Sequence, residues 1–374
     1  MRIIAASTGL FIGLLGVYTV PFQIGALMDT VGLDAANAGY LGSIELAAVA
    51  IVTMLLGAGI SRFSLSKLAI AGAIIAAIGQ LITLVFHDIT ILSLARFVVG
   101  CGCGCVLAAT TASIASSEDP DAFYGQAFAY MSLAYVLWLA ALPYTARVVP
   151  NAGIFHMLAA VTLLSLPVFR HLTSNTNNEA GKTARFVIDR GKVALLFIAI
   201  TLVFVSYGGT YYFAERIGTE IGVASEDIGL AYGLSQLAGF VGAGLAGWCS
   251  ARISRTTPIM TGFFLIGLIS LGIVFSTAQV EFFSVIILMN GVFMFTISYV
   301  LGTAAALDKR GRMAAIANGY VILALSIGTA IFGTVASQTH YTVLAWPAFI
   351  LCCLGAIVIM PLTRALDKNE RKKL

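Results

Sequence analysis

The sequence predicts an all-α integral membrane protein in which twelve transmembrane helices form two halves of six. Composition is the first reason, since 59% of the 374 residues are hydrophobic and only 10% are charged, and the mean hydropathy is +0.97. An average soluble domain is about 25% charged, and a soluble fold of this size leaves too much surface in water to hide so many apolar side chains. Soluble enzymes and disordered proteins are therefore excluded. A series of apolar segments and an internal repeat are the other two reasons.

Each apolar segment is close to the roughly 20 residues that a helix needs to cross a bilayer. The first begins directly after Met1 and Arg2 and is too long for the core of a signal peptide, so we expect it to remain as a span. One long polar break, 170–191, is predicted to be a linker between an N-terminal half, 1–169, and a C-terminal half, 192–374, which ends in a short basic tail. The predicted spans are 3–28, 37–60, 68–86, 90–113, 122–146, 152–169, 192–214, 226–249, 258–277, 282–306, 313–336 and 343–362.

Basic residues predict the orientation of these spans, because loops rich in Lys and Arg stay in the cytoplasm. With the N-terminus inside, cytoplasmic segments hold 18 of the 21 Lys and Arg residues, and outside loops hold two, Arg147 and Arg216. The remaining basic residue, Arg96, lies within a span. Both termini and the central linker are therefore expected in the cytoplasm, with the spans in the lipid bilayer of the inner (cytoplasmic) membrane. Because the basic residues are scattered among loops, the net charge of +4 does not indicate a nucleic-acid partner.

A weak internal repeat supports two related halves. When the sequence is shifted by 190 residues, 39–72 aligns with 229–262 and seven positions are identical. The same shift places the second span on the eighth and one arginine-containing loop on the other. Two six-helix halves related by an axis along the membrane normal are a known transporter architecture.

Two local motifs add a family resemblance. The loop after span two reads Gly57-Ala-Gly-Ile-Ser-Arg-Phe-Ser-Leu-Ser-Lys67, and span four contains Arg96-Phe-Val-Val-Gly-Cys-Gly102. With the twelve spans, these features resemble the major facilitator superfamily. The loop is similar to the family's Gly-x-x-x-Asp-Arg-x-Gly-Arg-Arg/Lys motif, with Ser61 in place of the Asp and Ser64 in place of the second Gly. The span-four motif is similar to Arg-Phe-x-x-Gly-x-Gly, which occurs in drug:proton antiporters and metabolite exporters.

Two charged residues lie well inside predicted spans, Glu45 in span two and Arg96 in span four. At a rise of 1.5 Å per residue they lie at similar depths from the outer ends of their helices, about 12 and 9 Å. In the family fold these helices are neighbours, so an ion pair is expected. A charge inside the membrane is expensive and often functional, so Glu45 and Arg96 are candidates for proton coupling or for binding an anionic substrate. A structural brace within the N-terminal half is the alternative.

The resemblance also implies that spans one, four, seven and ten line a central cavity. The polar and aromatic residues of these spans, and one residue of span eleven, are candidates for contact with the substrate, although each can instead be an ordinary interhelical hydrogen bond or an interfacial aromatic residue. The cavity candidates are Thr19, Gln23, Tyr207, Tyr211, Asn290, Ser298 and Asn318. The candidates for a cytoplasmic gate, with simple topogenic charge as the alternative for the two arginines, are Gly57, Arg62, Gly247 and Arg252.

The run from Gly100 to Cys105 alternates Gly and Cys, but helical geometry argues against a metal site. Cys101 and Cys103 point about 200° apart around a helix, and no His follows nearby. Close helix packing through Gly100, Gly104 and Ala108 is the preferred interpretation. No metal and no cofactor are expected, since the phosphate-binding and hydrolase motifs are missing from the sequence.

The function expected from these observations is secondary active transport of a small organic solute by alternating access, in a protein that is not an enzyme. Proton-coupled efflux by a monomer is the leading version, because the span-four motif resembles those of exporters. The alternative is an importer, either a symporter or a uniporter, of a small organic anion or metabolite. A receptor or a lipid-modifying enzyme is a third class, disfavoured because the chain has neither a catalytic cluster nor room for an extramembrane domain.

Overall fold

The computed structural model describes residues 1–57, 59–117, 120–145, 153–173, 190–250, 252–307 and 312–371. The chain divides into two compact units, Met1–Phe186 and Val187–Leu374, here called unit 1 and unit 2. Most of the predicted linker lies outside the described residues. So do several of the basic residues used to predict orientation, namely Arg147, Lys182, Arg185, Lys309, Arg310, Lys372 and Lys373.

Both units are built from helices joined by short turns, as expected for a chain whose backbone groups must be satisfied within the bilayer. Unit 1 contains α1 (Arg2–Gly13), α2 (Leu15–Val31), α3 (Ala35–Gly57), α4 (Leu65–Val85), α5 (Ile89–Ala115), α6 (Pro120–Ala141), α7 (Gly153–Leu164) and α8 (Leu166–Phe169). Unit 2 contains α9 (Arg190–Tyr211), α10 (Ala214–Glu220), α11 (Ser225–Ser250), α12 (Thr256–Phe275), α13 (Gln279–Leu307), α14 (Arg312–Gln338) and α15 (Ala345–Arg371).

Eleven helical segments of the described chain are long and apolar enough to cross a membrane, which differs by one from the predicted twelve. The exception is the predicted sixth span, 152–169, which the structure divides into α7 and α8. Pro167 explains the division, because it has no N–H to donate to the carbonyl of Leu163. The interrupted helix Gly153–Phe169 is shorter than the other spans.

The first span of each unit is also divided. Leu14 separates α1 from α2, and Pro21 lies inside α2. In unit 2 the corresponding span is interrupted at Tyr212 and Phe213 and continues as α10 to Glu220, beyond the predicted end at 214. A positive φ of 75° at Gly32 ends α2, and glycine adopts this conformation without strain.

The helices of the two units share a constant register. Adding 190 to the first residue of a helix in unit 1 gives the first residue of a helix in unit 2 to within two residues. The pairs are α1 with α9, α3 with α11, α4 with α12, α5 with α13, α6 with α14 and α7 with α15. A residue in one unit can therefore be compared with its equivalent in the other.

Close helix packing in unit 1 depends on the glycines of α5. A Cβ on Gly100 would overlap the backbone of Glu45 in α3, and one on Gly104 would lie 2.9 Å from Cβ of Val52. Gly102 faces the other way, towards Ala76 of α4. The packing interpretation of the Gly-Cys run is therefore confirmed, and α5 lies directly against both α3 and α4.

Candidate functional site

A buried ion pair joins two helices in the interior of unit 1. Nη1 of Arg96 on α5 lies 3.1 Å from Oε2 of Glu45 on α3, and neither side chain is exposed to solvent. The pairing agrees with the expectation from their similar depths. Removing both charges from water is costly, and their mutual attraction offsets that cost only when further hydrogen bonds complete the site.

Those further bonds to Arg96 come mainly from α4. Its Nη2 donates to Oε1 of Gln80 at 2.9 Å and to Oγ1 of Thr83, and lies 3.5 Å from the carbonyl oxygen of Gly79. The ring of Phe155 on α7 packs on the guanidinium, with its centroid 5.0 Å from Cζ, a cation–π distance. Gln80, Thr83 and Phe155 were missed by sequence reasoning, although polar residues at 80 and 83 share one face of an otherwise apolar helix.

The remaining contacts come from α2. Nη1 of Arg96 also donates to Oε1 of Gln23 at 3.1 Å. The amide nitrogen of Gln23 donates to Oγ1 of Thr19 at 2.9 Å and lies 3.5 Å from Oε1 of Glu45. We call Gln23, Glu45, Gln80, Thr83 and Arg96 the Arg96 cluster.

Glycines bring these helices close enough for the cluster to form. A Cβ on Gly16 of α2 would overlap the carboxylate of Glu45, and one on Gly100 of α5 would overlap the carbonyl of Glu45. Small residues allow such approaches between membrane helices. The cluster therefore depends on α2, α3, α4 and α5 together, and a movement of any of them changes its bonds.

The equivalent positions of unit 2 carry no charge. Glu45 corresponds to Ser235 and Arg96 to Ile286, which is fully buried. Oγ of Ser235 lies 3.3 Å from the hydroxyl of Tyr211 on α9, while its carbonyl accepts from the amide of Asn290 at 2.9 Å. Asn290 corresponds to Gly100, so an amide group fills the space that is closed by direct backbone packing in unit 1.

The predicted cavity residues differ in exposure. Tyr207, Tyr211 and Asn290 are buried inside unit 2, and the ring of Tyr207 packs 4.5 Å from that of Phe293. Ser298 and Asn318 are exposed. Thr19 and Gln23 are 0% and 1% exposed and belong to the surroundings of the ion pair.

Glu215 and Arg216 lie beyond the predicted end of the seventh span at 214, and the structure extends the helical segment past them. They were placed in an outside loop, but the first span of unit 2 continues through them in α10. Nε of Arg216 lies 3.3 Å from Oε2 of Glu215, and each side chain is 11% exposed. The apolar Ile217 that follows them is the sequence signal that could have indicated this continuation, and it is buried in the structure.

Comparison with known proteins identifies the family. The sequence profile of the Major Facilitator Superfamily matches residues 6–324 and 196–373, which together span nearly the whole chain. The chain belongs to the major facilitator superfamily.

Membership of the superfamily makes the protein a multi-pass membrane transporter with a small-molecule substrate, secondary active by its fold, rather than an enzyme. Its fold is similar to that of the nucleoside transporter NupG, in the crystal structure of a point mutant of that transporter. The two chains are 12% identical, the match covers 98% of this chain and 100% of NupG, and the TM-score is 0.76. At this identity the likeness shows the fold alone. No curated protein matches the sequence.

The loop that resembles the superfamily motif contains an exposed arginine. Gly57 is exposed at the end of α3, and Arg62 is exposed at the end of the short turn Ile60–Arg62. In unit 2 the equivalents Gly247 and Arg252 are also exposed. Nη1 of Arg252 donates to the carbonyl of Trp248 at 2.7 Å, and its guanidinium stacks 4.3 Å above that ring. Arg252 thus completes the last turn of its own helix, as cations commonly do at helix C-termini.

Contacts between helices at this end of unit 2 come from residues that sequence reasoning missed. Arg255 donates to the carbonyl of Gly302 on α13 at 3.0 Å. The carboxylate of Asp367 on α15 accepts from the backbone N–H of Arg255 and Thr256 and from the hydroxyl of Thr256, at 2.6–3.2 Å. An acidic side chain commonly caps the N-terminus of its own helix, but here it caps α12 from a helix 111 residues away. A pocket of about 330 Å³ lies beside Arg255 and includes Gly247 and Ser298 in its lining.

Proposed function

We propose that this transporter moves a small, largely neutral organic solute by alternating access and exchanges it for protons, so that proton entry drives efflux. In this proposal Glu45 binds the coupling proton and Arg96 is its permanent counter-charge, because an arginine does not lose its proton in proteins. The buried pair between α3 and α5 is the observation that carries the proposal. A carboxylate that no solvent reaches can take up a proton only when the helices rearrange to admit water.

The energetic argument is that the pair and the helix arrangement depend on each other. A ligand shifts a conformational equilibrium by its difference in affinity between two states. When the carboxylate is ionised, its bond to Arg96 favours the arrangement in which α3 and α5 hold the charges at 3.1 Å. Neutralisation by a proton weakens that preference and allows unit 1 to change its conformation. Loss of the proton on the other side of the membrane restores it.

The surroundings of Arg96 favour this internal role over the alternative of anion import. Both terminal nitrogens of its guanidinium are bonded to protein oxygens, on Gln23 and Glu45 for Nη1 and on α4 for Nη2. An anionic substrate would have to displace these bonds to reach either terminal nitrogen. The buried polar side chains of α9, α11 and α13 are uncharged and mostly carry hydroxyl groups, which also suits an uncharged solute. Since NupG is a nucleoside transporter, nucleosides are reasonable first compounds for a substrate screen.

Transport into proteoliposomes tests the coupling. Glu45→Gln imitates the protonated carboxyl, so we expect it to keep exchange of labelled substrate across the membrane and to lose accumulation driven by a pH gradient. Ser235→Ala, at the equivalent position of unit 2, is the matched control and should keep both activities. Full pH-driven accumulation by Glu45→Gln would overturn the proposal. If the parent protein accumulates substrate only with the pH gradient that drives import, Glu45 remains the proposed proton-binding group, but the transporter is an importer.

We propose the same topology as the basic residues predict, with both termini in the cytoplasm and the protein acting as a monomer in the inner membrane. Lys67 and His87 are exposed at opposite ends of α4. In a cysteine-free background, an impermeant thiol reagent added to intact cells should label His87→Cys and should label Lys67→Cys only after the cells are opened. The reverse pattern would refute this orientation.

A further inference from the structure

The carboxylate of Glu45 faces hydrogen-bond donors. Oε2 is 3.1 Å from Nη1 of Arg96, and Oε1 is 3.5 Å from the amide nitrogen of Gln23. Both of those groups only donate, and an ionised carboxylate only accepts, so the polarities match. The other titratable group that interacts electrostatically with Glu45 among the described residues is the thiol of Cys103, also on α5.

Thr19 fixes the orientation of the Gln23 amide. Its hydroxyl donates to the carbonyl of Leu15 at 2.6 Å, as membrane-helix threonines commonly do. The hydroxyl oxygen is therefore left to accept, and it accepts from the amide nitrogen of Gln23 at 2.9 Å. The amide oxygen of Gln23 then accepts from Arg96. A flipped amide would set oxygen against oxygen at Thr19 and donor against donor at Arg96.

Protonation of Glu45 weakens this arrangement at either oxygen. It removes the negative charge and one acceptor lone pair from a carboxyl group that faces two groups that only donate. We propose that Thr19 and Gln23 are positioning residues that hold Glu45 in its ionised form and set the pH at which it takes up a proton, rather than ligands of the substrate. The proposal deepens the proposed function and rests on Glu45 as its proton-binding group.

Burial supports this assignment. Thr19 is 0% and Gln23 1% exposed, and their side chains bond to one another and to Arg96. Both lie on α2, so the state of the carboxylate on α3 is transmitted to the first span through one amide. If the hydroxyl of Thr19 is removed, the amide can turn until its oxygen, which has two lone pairs, accepts from both Arg96 and a protonated Glu45.

The test replaces the hydroxyl by a methyl group. In purified Thr19→Val, the carboxyl infrared band of protonated Glu45, assigned by its loss in Glu45→Gln, should titrate with a midpoint about half to one pH unit higher than in the parent. That is the change expected from one hydrogen bond. Thr19→Ser keeps the hydroxyl and should titrate as the parent does. Thr110→Val, which loses a buried hydroxyl bonded to Val106 elsewhere in unit 1, is the control for a general loss of stability.

Transport assays separate this role from substrate binding. The pH profile of transport should move upwards in Thr19→Val by the same amount, with an unchanged KM for the substrate. A raised KM with an unmoved infrared midpoint would show that Thr19 is a substrate ligand and would overturn the proposal. If the infrared midpoint moves but the transport profile does not, the positioning role stands and the proposed coupling through Glu45 fails. Thr19→Ala gives the same readouts if the valine variant does not fold.

Discussion

Unit 1 and unit 2 share one helix register but differ in the way that buried charges are connected. In unit 1 the paired residues are 51 positions apart and join two helices, so their distance depends on how those helices are arranged. In unit 2 the ion pair of Glu215 and Arg216, whose side chains are each 11% exposed, joins sequence neighbours within one short helix. A pair of that kind keeps its geometry when helices move. The cross-helix pair of unit 1 therefore links a change of charge directly to the distance between two helices.

The largest loss of stability is expected when one partner of the ion pair between Glu45 and Arg96 is removed. Arg96→Ala leaves Glu45 buried without its counter-charge, a change that typically costs about 3–5 kcal/mol. The melting temperature should fall strongly, whereas Ile286→Val, at the equivalent position of unit 2, should have a much smaller effect. Combining Arg96→Ala with Glu45→Gln should recover part of the stability, because the effects of interacting residues are not additive. Additive losses would show that the pair contributes nothing as a pair.

The next largest loss of stability is expected from exchanging the residues that fill the space between α3 and α5 in unit 1 and between α11 and α13 in unit 2. Gly100→Asn places in unit 1 the amide that unit 2 carries at Asn290, but the space is already filled by the backbone of α3. Overpacking of this kind costs roughly 1–3 kcal/mol, so we expect lower thermal stability. Asn290→Gly should lose the bond to the carbonyl of Ser235, about 1 kcal/mol, and roughly 0.5–1 kcal/mol more because a glycine then stands inside a helix. Equal tolerance of both exchanges would mean that the two helix pairs are packed alike.

A smaller effect is expected at the cap that unit 2 forms between helices. Asp367→Ala removes the acceptor for the first turn of α12 and should lower stability by about 1 kcal/mol, as for other lost caps. Asp367→Asn keeps an acceptor oxygen and is the matched control. The measurement is the thermal unfolding of the two variants side by side. Identical melting temperatures for Asp367→Ala and the parent would show that the contact is not a cap in energetic terms.

The smallest effect on stability is expected for the exposed arginines. Arg62→Ala and Arg252→Ala should lower the stability by less than about 1 kcal/mol and leave insertion unchanged, since both side chains lie at the surface. If these residues close the cytoplasmic side, turnover should fall in both variants but not in Arg170→Ala, which removes another exposed charge of unit 1. Unchanged turnover would leave the two arginines a topogenic role alone.

The parts that the sequence predicted are those governed by long-range periodicity and by the cost of charge in a membrane. Span positions and the pairing of Glu45 with Arg96 follow from these two rules. The neutral residues around the pair do not, because a buried Gln80 or Thr83 has the same sequence pattern as any polar residue that bonds its own helix. Glu215 was assigned to a loop because a polar stretch at the end of a span has the same sequence pattern as a loop. Only the packing around it distinguishes the two. The break at Ser165 depends on local backbone geometry around Pro167.

The division of the first span has a consequence for the rate at which its backbone opens. Leu14 interrupts the helix, and Pro21 leaves the carbonyl of Val17 without its usual N–H partner. Helical segments that lack some of their backbone hydrogen bonds open locally at a lower free energy than continuous helices. Amide protons around these two positions should therefore exchange with deuterium sooner than those in the middle of α4, which contains no proline. Thr19 and Gln23 lie between and just beyond these interruptions, so the residues proposed to hold Glu45 in its ionised form belong to a segment whose backbone opens more readily than that of α4.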